Sequence, residues 1–375
     1  MMAADSLQPV TEPALLREGT HRSIRLAPAI DEPAKRLPTF RNGPAPLPAR
    51  AFGLHWPAVE LAMLNEAMVT GRGAVIDGEG RLLLHSVSDQ IDSIHATPQS
   101  YSDVLAQCRL AVTPEGLLHH GWGRVEPAFH VREPVFHLLN ARDQNYTHFM
   151  FELLPKLAFY LDMPAPRPRL LVSEAVHATF SQLLVVLGVR REDLVAVPAQ
   201  GWIRVDRIFV ATSPSWLHRP VMQGVRRALD AEQGPARCVA GNRLYIRRTG
   251  MKAWARNLLN EQEVYAQLEG RGFRAMQPDG LSASEQVALF RSAEVVAGLY
   301  GGGLLNCVVS APGTRVLSLT STAYWRTGLD TAAPVLDLQA AQVVGDCFLA
   351  RQDPNNSAFL IDIRALNAAC DMLDL

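Results

Sequence analysis

Arg247 and Arg248 close an apolar run, Arg256 follows in a polar loop, and the later stretch GLYGGGLLN, Gly298 to Asn306, holds four glycines in nine residues. Each type has a use beside an anion. A guanidinium stays charged at any physiological pH and donates two parallel hydrogen bonds to a phosphate. Glycines after a strand let the main chain approach a phosphate closely, and the next helix offers its first N–H groups to it. The same bareness also suits a tight strand-to-helix crossing where no Cβ fits, so Gly301, Gly302 and Gly303 have a packing explanation beside the binding one. Side chains alternate along a strand, so one of Arg247 and Arg248 faces such a ligand and the other does not; the sequence leaves open which. Tyr300 can donate a hydrogen bond to phosphate or sugar, but a phenol with a pKa near 10 is neither a cation nor a ready base. Glu261, in the first turn of a predicted helix, can accept a ribose hydroxyl or simply complement the helix dipole.

Two common nucleotide signatures fail on these residues. After Gly301 and Gly303, Asn306 stands where a dinucleotide fingerprint has its third glycine, and the following strand ends in SLTST without an acid for the ribose. No G-K-[ST] occurs, which excludes a P-loop.

A second constellation handles protons. Asn145, His148 and Glu152 fall at i, i+3 and i+7, on one face of a helix. A histidine held by a carboxylate has a pKa suited to taking a proton from a hydroxyl. The plainer alternative is a helix start with Asn145 as cap and His148 as a satisfied polar core group. The H-E-x-x-H pattern is absent, so no zinc role follows. Trp254, inside the arginine loop, can stack on a sugar or a base, whereas Trp202, Trp216 and Trp325 read as core aromatics.

The elements that must position these residues are α/β. The chain has 375 residues and 48% apolar composition, more than one core usually organises, and its 36 basic against 37 acidic residues give no charge signature of nucleic-acid binding. Five widely spaced cysteines form neither a disulfide framework nor a zinc knuckle. The start has no secretory pattern and no apolar run is long enough to span a bilayer, so a cytoplasmic protein without a transmembrane segment is expected. Residues 1–50 are proline-rich and aperiodic, an extended arm. The Asp77-Gly78 turn between apolar runs predicts a hairpin. Pro155 must kink or bound the helix that carries His148. Strands and helices then alternate, and polar residues near 235 divide a lobe over 51–235 from one over 236–350, with 351–375 expected as a helix packing back on the N-terminal lobe. Asn260 with Glu263, and Ser282 with Glu285, have capping-box spacing at helix starts in the second lobe.

Three blocks, NYTHFMFELLPKL, LYIRRTGMKAWARNLLNEQEV and ALFRSAEVVAGLYGGGLLNCVVSAPGTRVLSL, resemble in order and spacing the family 61 glycosyltransferases, often described as capsular polysaccharide biosynthesis proteins; the likeness runs from about Asn140 to Tyr324. The resemblance implies a GT-B-like fold of two Rossmann-like lobes facing across a cleft. It implies a nucleotide-sugar donor, a glycan or other hydroxyl acceptor, inversion at the anomeric carbon, and no metal or cofactor. On this reading Arg247, Arg248, Arg256, Glu261, Tyr300, Gly301, Gly302, Gly303 and Asn306 hold the donor, and His148, Glu152 and Asn145 serve catalysis. It further implies work in surface polysaccharide assembly, at the inner face of the membrane beside an assembly machinery. One departure stands out: the family reads histidine-glycine-alanine-glycine in the turn, with a threonine before the asparagine, where this chain has Tyr300 to Gly303 and then Leu304, Leu305 and Asn306. The alternatives are a catalytically degenerate nucleotide-sugar scaffold or sensor and, more distantly, a Rossmann-type oxidoreductase.

Overall fold

The computed structural model describes residues 8–9, 22–27, 30–32, 37–41, 54–56, 59–78, 82–83, 86, 110–113, 116–119, 126–140, 142–212, 219–248, 256–324, 328–349 and 357–375. The chain divides into two compact α/β units, one of residues 1–30 and 56–228, the other of residues 31–55 and 229–375.

In the first unit, β1 (Val59–Thr70), β2 (Val75–Ile76) and β3 (Leu82–Leu83) form an antiparallel meander. The β2 to β3 turn contains Asp77 and Gly78, as the hairpin reading expects. Next come β4 (Val135–His137), a helical run that ends in α1 (Leu154–Leu161), β5 (Arg169–Ser173), α2 (Glu174–Val186), β6 (Leu194–Val197) and β7 (Trp202–Ala211). The sheet order is β6-β5-β4-β7-β1-β2-β3, with β4 to β7 parallel and β1 antiparallel to β7. The strand order therefore reverses between β4 and β7, the point in an open parallel sheet where loops diverge and leave a crevice. Val135, Phe136, Leu170, Leu171 and Val172 are fully buried, the continuous apolar texture of strands covered on both faces. Trp202 is also buried in this unit, in line with its core reading.

The second unit repeats the principle with a different order. Its elements are β8 (Arg243–Ile246), α3 (Glu261–Glu269), β9 (Phe273–Met276), α4 (Ala283–Ser292), β10 (Val295–Leu299), α5 (Gly302–Leu305), β11 (Arg315–Ser321), α6 (Gly328–Val335), β12 (Gln339–Leu349), β13 (Ala358–Leu360) and α7 (Ile363–Met372). Five parallel strands run in the order β9-β8-β10-β11-β12, which places the switch between β8 and β10. Gly298 sits on β10 because a Cβ there would meet the Ile246 carbonyl oxygen at 2.9 Å, and Gly303 is similarly tight against Ile246. Those two glycines have a packing reason.

Several expectations need correction. The proline-rich arm is not wholly extended and separate: Thr39–Phe40 pairs with β12, Leu37 N–H donates to Asp330, Arg41 bonds Asp346, and Phe40 packs on the second core. Its apolar and hydrogen-bonding groups find partners that composition alone does not reveal. The division between units falls at 228/229, inside the helix Arg219–Gln233, a few residues before the polar stretch near 235. The last helix, α7, buries Leu366, Ala369 and Cys370 in the core that holds Val264, Leu268 and Phe359, so it belongs to the second unit and not to the N-terminal lobe. Its amphipathic face predicts a docking partner but not which one. Asn260 does not cap α3 with its side chain. Its carboxamide exchanges hydrogen bonds with the main chain of Ile361, at 2.9 and 3.1 Å, and also donates to Glu263. The Ser282 and Glu285 capping box is present as read. Trp216, Trp254 and Trp325 lie outside the described residues. Among the described residues no helix is long and apolar enough to cross a membrane.

Candidate functional site

Both strand switch points carry the residues singled out from the sequence. In the second unit, β8 ends at Ile246 and its ladder continues one residue further, with Arg247 N–H donating to the Met276 carbonyl at 2.9 Å. Alternation then sends the two arginines apart. Arg247 turns to Glu261, 3.5 Å from Nε to Oε1, and lies 6.0 Å from the Tyr265 ring centroid. Arg248 reaches the glycine turn: a Cβ built on Gly301 would stand 3.0 Å from its Nη1 and 3.1 Å from Nη1 of Arg256. Two guanidinium groups therefore close on one α-carbon, and any side chain at 301 would displace them. Gly301 has φ +157° and ψ −175°, a conformation open to glycine. Its bareness serves the arginines, whereas that of Gly298 and Gly303 serves strand packing.

Arg256 is held from three directions. Its backbone is left-handed, with φ +54°, its Nη1 donates to the Tyr300 carbonyl at 2.8 Å, and its guanidinium carbon lies 4.3 Å from the Tyr324 ring centroid. A left-handed non-glycine residue is costly enough to persist only where its surroundings impose it. Tyr300 contributes that carbonyl while its ring is buried, 6.3 Å from Tyr324. Tyr300 N–H donates to Leu319 at 2.8 Å, which ties the turn to β11. Glu261 accepts from the Tyr245 hydroxyl at 3.2 Å, and burial together with that carboxylate pushes the Tyr245 phenol up. Gly302 and Gly303 open α5 on the exposed side of the turn, and Asn306 is buried beneath it.

In the first unit, the loop after β4 leads into a helix with an unusual middle. Tyr146–His148 is α-helical, Phe149–Leu153 is π-helical, and α1 follows. Leu154 N–H bonds the Phe149 carbonyl five residues back. Pro155 explains the widening: in a regular α-helix its ring would press on the carbonyl four residues earlier. Phe149 stacks on Phe180 of α2 at 4.3 Å, fixing the helix against its neighbour.

This helix aims two side chains at each other. His148 Nδ1–H donates to Glu152 Oε1 at 2.6 Å, and both side chains are more than four-fifths buried. Asn140, absent from the candidates read from sequence, donates to the other Glu152 oxygen at 2.5 Å. Asn140 is itself oriented by Arg142 N–H, which donates to its carbonyl oxygen at 2.9 Å. In the neutral ring, a proton on Nδ1 facing the carboxylate leaves the lone pair on Nε2, the tautomer a general base requires. Asn145 stands at the exposed start of the run, with its N–H on Arg142 and its carbonyl on Phe149. Nearby, complete burial and the charge of Lys156 hold His137 down at about 3, and burial raises Asp143 to about 6. Tyr324 and Asn140 were missed because each is a partner of a candidate rather than a group with chemistry of its own.

Residues 146–317 match the Glycosyltransferase 61 family. This segment is a glycosyltransferase family 61 domain. It spans the His148 helix and the glycine turn, so both switch points fall in or directly beside it. Search of the curated proteins found no match. Among solved structures, TibC, described as a bacterial iron-containing dodecameric glycosyltransferase from enterotoxigenic E. coli H10407, aligns over 74% of this chain and 81% of its own, at 12% identity and a TM-score of 0.28. A likeness that low carries no argument about this chain.

Proposed function

We propose that this chain is a glycosyltransferase, an inverting, metal-independent enzyme of GT-B architecture that moves a sugar from a nucleotide-sugar donor to a hydroxyl of a glycan acceptor. The convergence of Arg248 and Arg256 on Gly301, at the carboxyl edge of a doubly wound sheet, is the observation that carries this reading. A departing nucleoside diphosphate gathers negative charge on its leaving oxygen, and preorganised donors that meet that charge lower the barrier. Arg248, Arg256 and the bare main chain of the turn would supply them, while Glu261 and Arg247 border the same edge, where a ribose hydroxyl would be accepted.

On the acceptor side, His148 takes the proton of the attacking hydroxyl at Nε2. The new bond forms at the anomeric carbon as the bond to the diphosphate breaks, and its electron pair leaves with the diphosphate. Glu152 stabilises the imidazolium that results. A role in capsule or exopolysaccharide assembly at the inner face of the membrane rests on the family alone, a weaker warrant than site chemistry.

The test is a thermal-shift panel of nucleoside diphosphates and their sugars, with and without chelator. A rise in melting temperature with a uridine or guanosine diphosphate, unchanged by chelator, is expected. Stabilisation by a nicotinamide dinucleotide instead, or loss of nucleotide binding on chelation, would refute the proposal. One observation favours a noncatalytic, nucleotide-sugar-binding scaffold: Tyr300 stands in the family's histidine position with its ring buried. Nucleotide binding without hydrolysis or transfer by the pure protein, together with an inert Tyr300→His variant, would select that second reading.

A further inference from the structure

The Arg256 guanidinium meets the Tyr300 carbonyl, the glycine turn and, least expected, an aromatic ring from another strand's loop. Tyr324 follows β11, and its position is set by hydroxyls of that strand's last residues. Thr320 Oγ1 donates to the Tyr324 carbonyl at 2.9 Å, and Tyr324 N–H donates to Ser321, reaching both its side-chain and main-chain oxygens at 3.1 Å. The turn is tied further to β12 by Thr322 N–H on the Gly345 carbonyl at 3.0 Å and Cys347 N–H on Thr322 Oγ1 at 3.3 Å. Its ring carries Arg256 at 4.3 Å, well inside the range of a cation–π contact. A stacked guanidinium keeps its N–H edge available while its rotation is arrested, which is the condition for bidentate donation to a phosphate.

We propose that Tyr324 is a positioning residue for the donor's diphosphate: its ring is the shelf that holds the Arg256 guanidinium beside Gly301. This rests on the nucleoside-diphosphate reading of the same turn. Arg256 has a left-handed backbone and donates from Nη1 to the Tyr300 carbonyl, and the Tyr324 ring lies against its guanidinium carbon at 4.3 Å, a face on which the group can rest. The π-face carries the effect, so phenylalanine should replace tyrosine and an aliphatic side chain should not.

Calorimetric titration of the full chain with uridine diphosphate, guanosine diphosphate and inorganic pyrophosphate tests this. Tyr324→Leu is expected to weaken binding of the diphosphate that the wild type takes by about three- to thirty-fold, the span of a cation–π contact from exposed to desolvated. Tyr324→Phe should stay within about twofold of wild type on the same grounds, because its ring presents the same face. In an Arg256→Ala background, Tyr324→Leu should cost nothing more, the non-additivity that marks action through Arg256. Thr320→Val, which removes the hydroxyl holding the Tyr324 carbonyl, should give a smaller loss in the same direction and keeps the question answerable if Tyr324→Leu does not fold. Unchanged binding in Tyr324→Leu, equal losses in the Phe and Leu variants, or additive losses with Arg256→Ala would overturn the inference while leaving the diphosphate reading intact. Failure of the wild type to bind any of the three probes would overturn both.

Discussion

The two units solve one topological problem with opposite chemistry. Each has a parallel sheet whose strand order reverses once, between β4 and β7 in the first and between β8 and β10 in the second, and each places its candidate side chains in the segments just past that reversal. In the first unit the loop after β4 and the helix it opens hold a hydrogen-bonded chain, Asn140 to Glu152 to His148, in which a carboxylate has both oxygens occupied and an imidazole is held by Nδ1. In the second the corresponding segments hold two guanidinium groups on a glycine, with an aromatic ring and a main-chain carbonyl as supports. The shared topology supplies a crevice; the residues after the strands suit one to handling protons and the other to holding anions.

If that division is right, substitutions in the two units separate rate from binding. The largest effect is expected for His148→Ala: transfer falls by roughly a hundredfold to ten-thousandfold, the usual range for a general base. Nucleoside diphosphate affinity measured by titration stays near wild type, and a large loss of affinity would break the comparison. Arg256→Ala and Arg248→Ala should each lower turnover by about a hundredfold to a thousandfold, as removal of other preorganised donors does. Both should also weaken diphosphate binding in the same titration, which His148→Ala does not.

Smaller changes sharpen the picture. Asn140→Ala should slow transfer by about tenfold, since a hydrogen bond to a charged group contributes on the order of 1.5–3 kcal/mol. Arg247→Ala is expected to cost under about fivefold in diphosphate affinity, since its ion pair with Glu261 is partly exposed and such pairs contribute about 0.2–1 kcal/mol. A loss as large as that of Arg248→Ala would reverse the roles assigned to the two arginines.

A separate effect concerns stability. His137 is held at about 3 in the folded protein, against an ordinary value of 6.5. As pH falls from 6.5 toward 3 the unfolded chain takes up a proton that the folded chain refuses, so stability is lost over that window, by at most about 1.4 kcal/mol per pH unit. Asp143, raised to about 6, acts in the opposite sense: its burial penalty is absent below about 4 and complete above about 6. Melting temperatures of wild type and His137→Asn across this range should shift in favour of the variant on acidification. A constant difference would show that His137 is not held neutral.

Much of the second unit was legible because its signals are short-range. The Ser282 capping box, the apolar runs of β8, β10 and β11, and the glycines that close β10 each act over a few residues, and the structure has them in place. Asn260 misled for the converse reason: its spacing to Glu263 is that of a cap, but a carboxamide can also bond a distant main chain, and that of Ile361 lies within reach. The proline-rich arm misled in the same way, because Thr39–Phe40 is a strand only by virtue of the β12 edge it meets.

From its sequence alone this protein specified strands, helices and turns in an α/β order, the residue types able to meet a phosphate or a proton, and the helix distorted by Pro155, since all of these follow from backbone sterics and neighbouring side chains. Only the tertiary structure decided that Arg248 and not Arg247 faces Gly301, that Tyr324 lies under Arg256, that Asn140 completes the pair of His148 and Glu152, and that the last helix packs on the second unit's core. Those outcomes depend on which strand lies beside which. Groups remote in the chain acquire their partners only when the burial of whole sheets has set the strand order, and no local pattern encodes that.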